Sequence, residues 1–249
     1  MRAILTYHSI DTSGSPISCH PDTFARQVAW LASGRVRVTT IDELVQMPAT
    51  ADAVALTFDD GFVNFRDEAA PRLLDHGFPV TVFVVAGLVG KSNSWDAGPR
   101  RTTPELPLLD WTALGRLQEE GVTLGGHSQT HRSLTRLTAA EVDGEVHGCA
   151  ERIEAEVGQR PSVFAYPYGH WDPASATVVA RTFRWGCTTD FRPVDGPAEP
   201  ATLPRLDMCY FSQPGSLDAW GTRAFATRLT VRNTLRQVRQ MAMSIGGAR

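Results

Sequence analysis

Short apolar runs alternate along the chain with longer stretches in which apolar residues recur every three or four positions. The runs Ala3–Tyr7, Ala53–Phe58, Pro79–Ala86, Val122–Leu124, Ser162–Ala165, Trp185–Thr188 and Thr202–Leu206 predict strands. The periodic stretches Pro21–Ser33, Asp67–His76, Trp111–Glu120, Thr138–Val157 and Pro173–Phe183 predict helices, the first with Phe24, Val28 and Leu31 on one face. Local chemistry marks their ends. Asp110 can cap the third helix, Thr138 and Glu141 form a capping box, Pro173 suits a first turn, and Gly77 and Gly121 stop the helices before them. Repeated strand–helix alternation with no internal repeat or linker predicts an α/β fold built on a parallel sheet, and the number of elements favours a barrel or near-barrel. In such barrels functional side chains gather where strands end, and Asp59, His127 and Tyr168 each follow a predicted strand.

Two segments depart from this rhythm. Gly87–Pro107 is rich in glycine, proline, serine and threonine and predicts a long surface loop, a length that often serves function. The tail 223–249 carries six arginines and no acid, with Val231, Leu235, Val238, Ala242 and Ile245 at helical spacing. It predicts a basic amphipathic helix following a catalytic unit over residues 1–222. Either the helix packs on that unit or it touches an anionic membrane surface.

Composition narrows the picture. The chain has 249 residues, of which 42% are hydrophobic, and a formal net charge of −3. It can bury a full core, and no basic field points to nucleic acid. Lys91 is the only lysine. The amino-terminal apolar run is too short for a signal peptide and is interrupted by His8 and Asp11, so the expected location is the cytoplasm, peripheral to the inner membrane face if the tail binds lipid. The four cysteines, Cys19, Cys149, Cys187 and Cys209, form no Cys-x-x-Cys pair and are expected as buried thiols.

The chemistry concentrates in two clusters. Thr57-Phe-Asp-Asp-Gly61 sets two carboxylates side by side at a strand end. Alone, Asp-Asp-Gly is an ordinary turn; repulsion and desolvation make the pair reasonable where one acid binds a cation and the other handles protons. His127-Ser-Gln-Thr-His131 follows a Gly-Gly pair that lets backbone approach closely, and its spacing can aim both imidazoles at one point. Two histidines and one carboxylate make a three-ligand metal face with open positions for water and substrate.

With these motifs the sequence resembles the polysaccharide deacetylases, the superfamily of nodulation-type chitooligosaccharide deacetylases. Thr57–Gly61 matches that family's first motif, His127–His131 its second (His-Ser/Thr-x-x-His), and Ala165-Tyr-Pro-Tyr-Gly169 is similar to its third, usually Arg-Pro-Pro-Tyr-Gly. The likeness extends over about residues 1–210. It implies a distorted (β/α) barrel of about seven parallel strands, and hydrolysis of an N-acetyl amide, usually on N-acetylglucosamine units, to acetate and a free amine. It implies Asp60, His127 and His131 as ligands of a divalent metal, commonly zinc. It further implies Asp59 as general base and the backbone N–H of Tyr168 as an oxyanion donor.

The departures from the family pattern are specific. Ala165 replaces the arginine that normally supports the base, and Arg205 is the candidate substitute, with a structural role as the alternative. The last family motif, Leu-x-His, is absent and no histidine follows His170. Tyr7-His8 at the end of the first strand resembles the early Tyr-His of exopolysaccharide deacetylases, which makes His8 the candidate general acid, with Asp207 as a candidate to orient its ring. Closing a barrel sets the first strand beside the last, so the exchange is geometrically sensible. Trp95 and Trp171 are candidates to stack on a sugar. Two rival readings stand beside an N-acetyl sugar deacetylase: a related metal-dependent amidase or imidase acting on a small non-sugar amide, and an inactive glycan-binding module. An open groove at Gly87–Pro107 suits glycans and a closed lid suits a small amide.

Overall fold

The computed structural model describes residues 1–96, 103–196 and 198–246. Gly98, Pro99, Thr102 and Arg249 lie outside the described residues, as do the side chains of Val238, Arg239, Ala242 and Ile245.

In chain order the strands are β1 (Arg2–Tyr7), β2 (Ser9–Ile10), β3 (Ser18–Cys19), β4 (Arg37–Thr39), β5 (Ala53–Phe58), β6 (Val80–Val84), β7 (Thr123–Gly126), β8 (Val163–Ala165), β9 (Trp185–Cys187) and β10 (Leu206–Asp207). The α-helices are α1 (Pro21–Ala32), α2 (Ile41–Gln46), α3 (Ala70–Leu74), α4 (Trp111–Glu119), α5 (Ala139–Val157), α6 (Pro173–Thr182) and α7 (Arg223–Gly246). Seven parallel strands run in the order β10-β1-β5-β6-β7-β8-β9, and β4 joins them by pairing the first half of β5. Leu203, just before β10, makes a parallel bridge to Cys187 of β9, so the segment that ends in β10 reaches both margins of the sheet and curls it into a distorted barrel.

The expected strands are present. All residues of β1 and β5 are buried, as a parallel sheet covered on both faces requires, and the two pair over their full length from Arg2↔Ala53 to Tyr7↔Phe58. The ring of Tyr7 stacks on Phe58 at 4.9 Å, and Phe24 of α1 meets Tyr7 edge-on at 5.3 Å. Each such buried aromatic contributes roughly 1.5–3 kcal/mol by leaving water.

Three expectations change. The helix expected over Asp67–His76 starts earlier, with a π-turn over Phe65–Ala69 before α3, because Pro71 has no N–H to return to Asp67. The strand expected over Thr202–Leu206 pairs with β1 only at Leu206–Asp207, while Leu203 serves β9. The tail helix packs through Phe225 and Leu229, both buried, so Val231 and Leu235 are exposed and the predicted apolar face is not the packed one. Arg232 lies 4.5 Å from the Tyr210 ring and Arg236 lies 5.4 Å from Phe191. These two guanidinium groups lie over aromatic rings of the barrel. Among the described residues no helix is long and apolar enough to cross a membrane.

Candidate metal centre

The carboxyl ends of β1, β5, β7 and β8 bring the sequence motifs to one end of the barrel. A cavity of about 90 Å³ there is lined by His8, Asp59, Asp60, Trp95, His127, His131 and Tyr168, among others. Four non-glycine residues adopt positive φ among the described residues: Asp60 (73°), Ser128 (64°), His131 (60°) and Tyr168 (59°). All four lie in the three motifs. Such backbone costs on the order of 1–3 kcal/mol per residue and collects at functional sites.

Asp60, His127 and His131 present ligand atoms that all lie within 4.8 Å of one another. Each histidine Nε2 is 3.4 Å from Asp60 Oδ1. The Nδ1 of His127 is 2.7 Å from the Ala165 carbonyl oxygen, an acceptor, so Nδ1 carries the proton and Nε2 turns a lone pair toward Asp60. Asp60 Oδ1 is buried with no hydrogen-bond partner. A buried carboxylate beside two imidazoles calls for a positive charge among them, supplied by a bound cation or by a proton on His127, which the neighbouring carboxylates favour. Burial drives His131 down to about 3 despite Asp60 beside it, so this ring is neutral and its Nε2 is free to bind a metal. Burial opposes the charged form of His127 as well, but the carboxylates of Asp60 and Asp59 outweigh it and raise that group. This donor set fits a divalent metal.

Tight packing holds these ligands. A Cβ on Gly125 would come within 2.6 Å of the Phe83 ring and one on Gly126 within 2.9 Å of Phe183, so only glycine lets β7 deliver His127. The His131 N–H donates to Ser128 Oγ at 2.9 Å. Glu145 of α5 accepts from the Gln129 N–H at 2.9 Å, the Thr130 N–H at 2.8 Å and the Thr130 hydroxyl. Sequence reasoning missed Glu145. The signal is an acid on the apolar face formed by Val142, Val146 and Cys149, where an unpaired carboxylate would not be tolerated. Replacing Glu145 by Ala frees the loop between the two histidines and is expected to weaken metal affinity about 10–100-fold in a chelator-competition titration. Glu145→Gln keeps an oxygen acceptor and should lose less; equal losses in both variants would remove Glu145 from this role.

Asp59 is 2% exposed, and both its oxygens face Arg205, with Nη1 to Oδ1 at 2.6 Å and Nη2 to Oδ2 at 2.8 Å. Burial alone would raise the Asp59 carboxyl. The Arg205 guanidinium overrides it, with smaller help from His8 and His127, and holds the group well below the usual carboxylate range. Arg205 is itself buried, and its Nε donates to the Thr188 carbonyl at 2.9 Å. It thus sits behind the base and does not line the cavity where a substrate would touch it. The Nε2 of His8 lies 3.7 Å from Asp59 Oδ2, with its side chain 23% exposed toward the cavity. Asp207 does not turn toward His8: its Oδ1 accepts from the Cys209 N–H and thiol.

The aromatic candidates separate. Trp95 lies 4.4 Å from His131 and Tyr168 lies 4.6 Å from it on another side, so both frame the cavity. Trp171 lies outside it, on an adjoining cleft with Gly169 and Thr189. A second cleft of about 790 Å³ continues from Trp95, His131 and Tyr168 past Ser133 and Arg136. The described part of Gly87–Pro107 therefore leaves the site open along a groove.

Comparison with known proteins agrees with this frame. The family model for polysaccharide deacetylases matches residues 46–183. The chain is 22% identical over 193 residues to a putative polysaccharide deacetylase, YxkH, of Bacillus subtilis (strain 168), covering 75% of this chain and 64% of that protein. It is 32% identical over 124 residues to a chitooligosaccharide deacetylase of Bradyrhizobium sp. (strain ANU 289), covering 48% of this chain and 47% of that protein. The chain thus spans less than two thirds of the length of these relatives. Among solved structures, IcaB from Ammonifex degensii superposes with a TM-score of 0.72 at 22% identity, covering 90% of this chain and 96% of that one, which establishes the shared fold. With its family model matched over more than half its length, the chain belongs to the polysaccharide deacetylase family.

Proposed function

We propose that this protein is a metal-dependent N-deacetylase that hydrolyses the acetamido group of an N-acetylated sugar or glycan, releasing acetate and leaving a free amine. The observation that carries this reading is the convergence of Asp60, His127 and His131 on one point, with the Asp59–Arg205 pair and His8 at its edge. Family membership and the names of its relatives, a chitooligosaccharide deacetylase among them, point to N-acetylglucosamine units as the substrate.

Zinc is the proposed metal, since two imidazoles and one carboxylate with an open position suit it. When bound, such an ion polarises the acetyl carbonyl and lowers the pKa of water. The chain's own residues supply the rest. Asp59, ionised across the neutral range, accepts a proton from the attacking water. The Tyr168 N–H, on backbone turned to positive φ, is the proposed donor to the oxyanion. His8, which lines the same cavity beside Asp59, is the proposed acid that protonates the leaving amine. The cleft that continues from Trp95, His131 and Tyr168 has room for a glycan, and retention of Asp59 paired to a buried cation favours an enzyme over an inactive binding module.

The test is acetate release from N-acetylglucosamine oligomers. Turnover is expected with zinc, should vanish after chelation, and should return on adding metal back. No acetate from any acetylated sugar, with zinc making no difference, would remove the reading.

A further inference from the structure

The metal cavity adjoins two clefts that share Arg136 and His170. The larger shares Trp95, His131 and Tyr168 with the cavity and continues along Arg132, Arg136 and His170. The smaller, about 400 Å³, shares Gly169 and Thr189 with the cavity and is walled by Trp171, Asp190 and Arg236. Arg136 lines both clefts.

Arg136 differs from the arginines around it. Arg132 pairs with Glu141 at 3.1 Å. Arg205 is spent on Asp59. Arg236 donates to the Thr189 carbonyl at 3.3 Å and lies over Phe191 and Tyr210. Among the described residues, the Arg136 guanidinium has neither an ion pair nor a hydrogen-bond acceptor. The one carboxylate on the larger cleft, Glu145, already holds three donors from the histidine loop and is unavailable to it. Asp190, on the smaller cleft, makes no ion pair with Arg136 among the described residues.

Nor is Arg136 on a loose stretch of chain. It ends a 3-10 turn, Leu134–Arg136, whose Leu134 is buried and whose backbone is closed by the Arg136 N–H to the Ser133 carbonyl at 3.1 Å. That turn begins three residues after His131, so its backbone sets the exposed Arg136 side chain on the two clefts beside the metal cavity. Beside it the His170 Nδ1 lies 3.2 Å from Ser133 Oγ. An unpaired planar guanidinium where two substrate-sized clefts join matches a carboxylate or a phosphate through two parallel N–H donors.

We infer that Arg136 reads an anionic group carried next to the acetamido sugar, so that the preferred substrate is an acidic N-acetylated glycan and not a neutral one. This inference rests on the deacetylase reading. It makes Arg136 a specificity residue: it binds the substrate beside the reacting amide and takes no part in the chemistry.

The experiment compares three substrates on the zinc-loaded protein: a neutral N-acetylglucosamine oligomer, one alternating with uronic acid, and one carrying a phosphate. The wild type is expected to favour at least one acidic substrate by about 10–100-fold in kcat/KM, the range of a charge-assisted contact, and the preference should weaken with added salt. The uronate and phosphate arms identify which anion is read. In Arg136→Ala the acidic-to-neutral ratio should fall toward one, and Arg136→Lys, which keeps the charge but not the fork, should fall between. Turnover of neutral glycans with a wild-type ratio near one, or an unchanged ratio in Arg136→Ala, overturns the inference and leaves the deacetylase reading intact. If no glycan turns over, calorimetric binding of the same three compounds decides: equal affinities overturn the inference, and tighter acidic binding lost in Arg136→Ala sustains it while the catalytic reading falls.

Discussion

Asp59→Asn is expected to lower kcat for acetate release by about 10²–10⁴-fold, the usual contribution of a positioned proton acceptor, while zinc affinity changes little. The amide keeps the shape of the carboxylate but cannot take the proton. The proposed metal ligands are the neighbouring Asp60 and the two histidines, none of which is altered. The variant also leaves the buried Arg205 cation without its counter-charge, and losing one member of a buried pair costs about 3–5 kcal/mol. Activity must therefore be read at a temperature where the variant is folded. Adding Arg205→Met to Asp59→Asn should recover part of the stability and none of the turnover. A double variant that regained activity would show that Asp59 acts only as a packing partner, whereas separation of the two readouts assigns it to chemistry.

The second large effect is expected from Arg205→Met alone. The guanidinium makes the two short bonds that override the cost of burying Asp59. Without it, desolvation dominates and the Asp59 carboxyl rises above its unfolded value. The sign of the pH dependence then reverses. In the wild type the folded carboxyl lies below its unfolded value, so its contribution to stability is fully present above the unfolded pKa and is lost only as pH falls through the folded one. In Arg205→Met the folded state holds the extra proton, so stability should decline as pH rises from the unfolded pKa to the new folded one. Denaturant unfolding across pH measures this directly. The acid limb of the pH–rate profile should move upward in the same variant, since Asp59 must lose its proton to act. A purely structural arginine would lower stability without moving that limb. Arg205→Lys is expected to restore the limb in part, because a single ammonium supplies the charge but not the two-pronged geometry.

The strands and most helices were legible because each depends on local pattern. Ala53–Phe58 is an uninterrupted apolar run, and Thr138-x-x-Glu141 is a complete capping signal; the structure keeps both. The missed elements had less to show. β4 is three residues long and carries Arg37 at an exposed position, and β2 and β3 are two residues each, separated by a polar loop. The box formed by Thr40 and Glu43 that opens α2 is present in the sequence, but a helix of six residues is too short to show a period.

The three residues that converge, Asp60, His127 and His131, were visible as motifs, since residue type and spacing carry that chemistry. Arg205 was harder, because its meaning depends on which strands become neighbours, a property of the closed sheet and not of any window of sequence. Glu145 shows in the sequence only as an acid on the apolar face of α5, which marks it as paired but does not name its partners. Its partners are backbone N–H groups, which leave no trace in side-chain pattern. The tail was misread for a related reason. Periodicity showed an apolar stripe at Val231 and Leu235, but Phe225 and Leu229 found the aromatic surface first, and the arginines laid their apolar stems and charges on it.

The way the sheet closes has a consequence for folding. Asp59 and Arg205 are separated by 146 residues, and their meeting depends on β10 docking beside β1. β1 can pair with β5 as soon as both have left the ribosome, but the cation for the base arrives only with the last strand. Until then Asp59 has every reason to stay hydrated or take up a proton, since its burial is favourable only with Arg205 in place. The catalytic end of the barrel should thus be among the last regions to consolidate, and the long sequence separation of its contacts predicts slow folding for a chain of this size. Partly made or truncated chains that stop before Arg205 would hold all three metal ligands yet lack the pair that makes the base, and so would bind metal before they could turn over substrate.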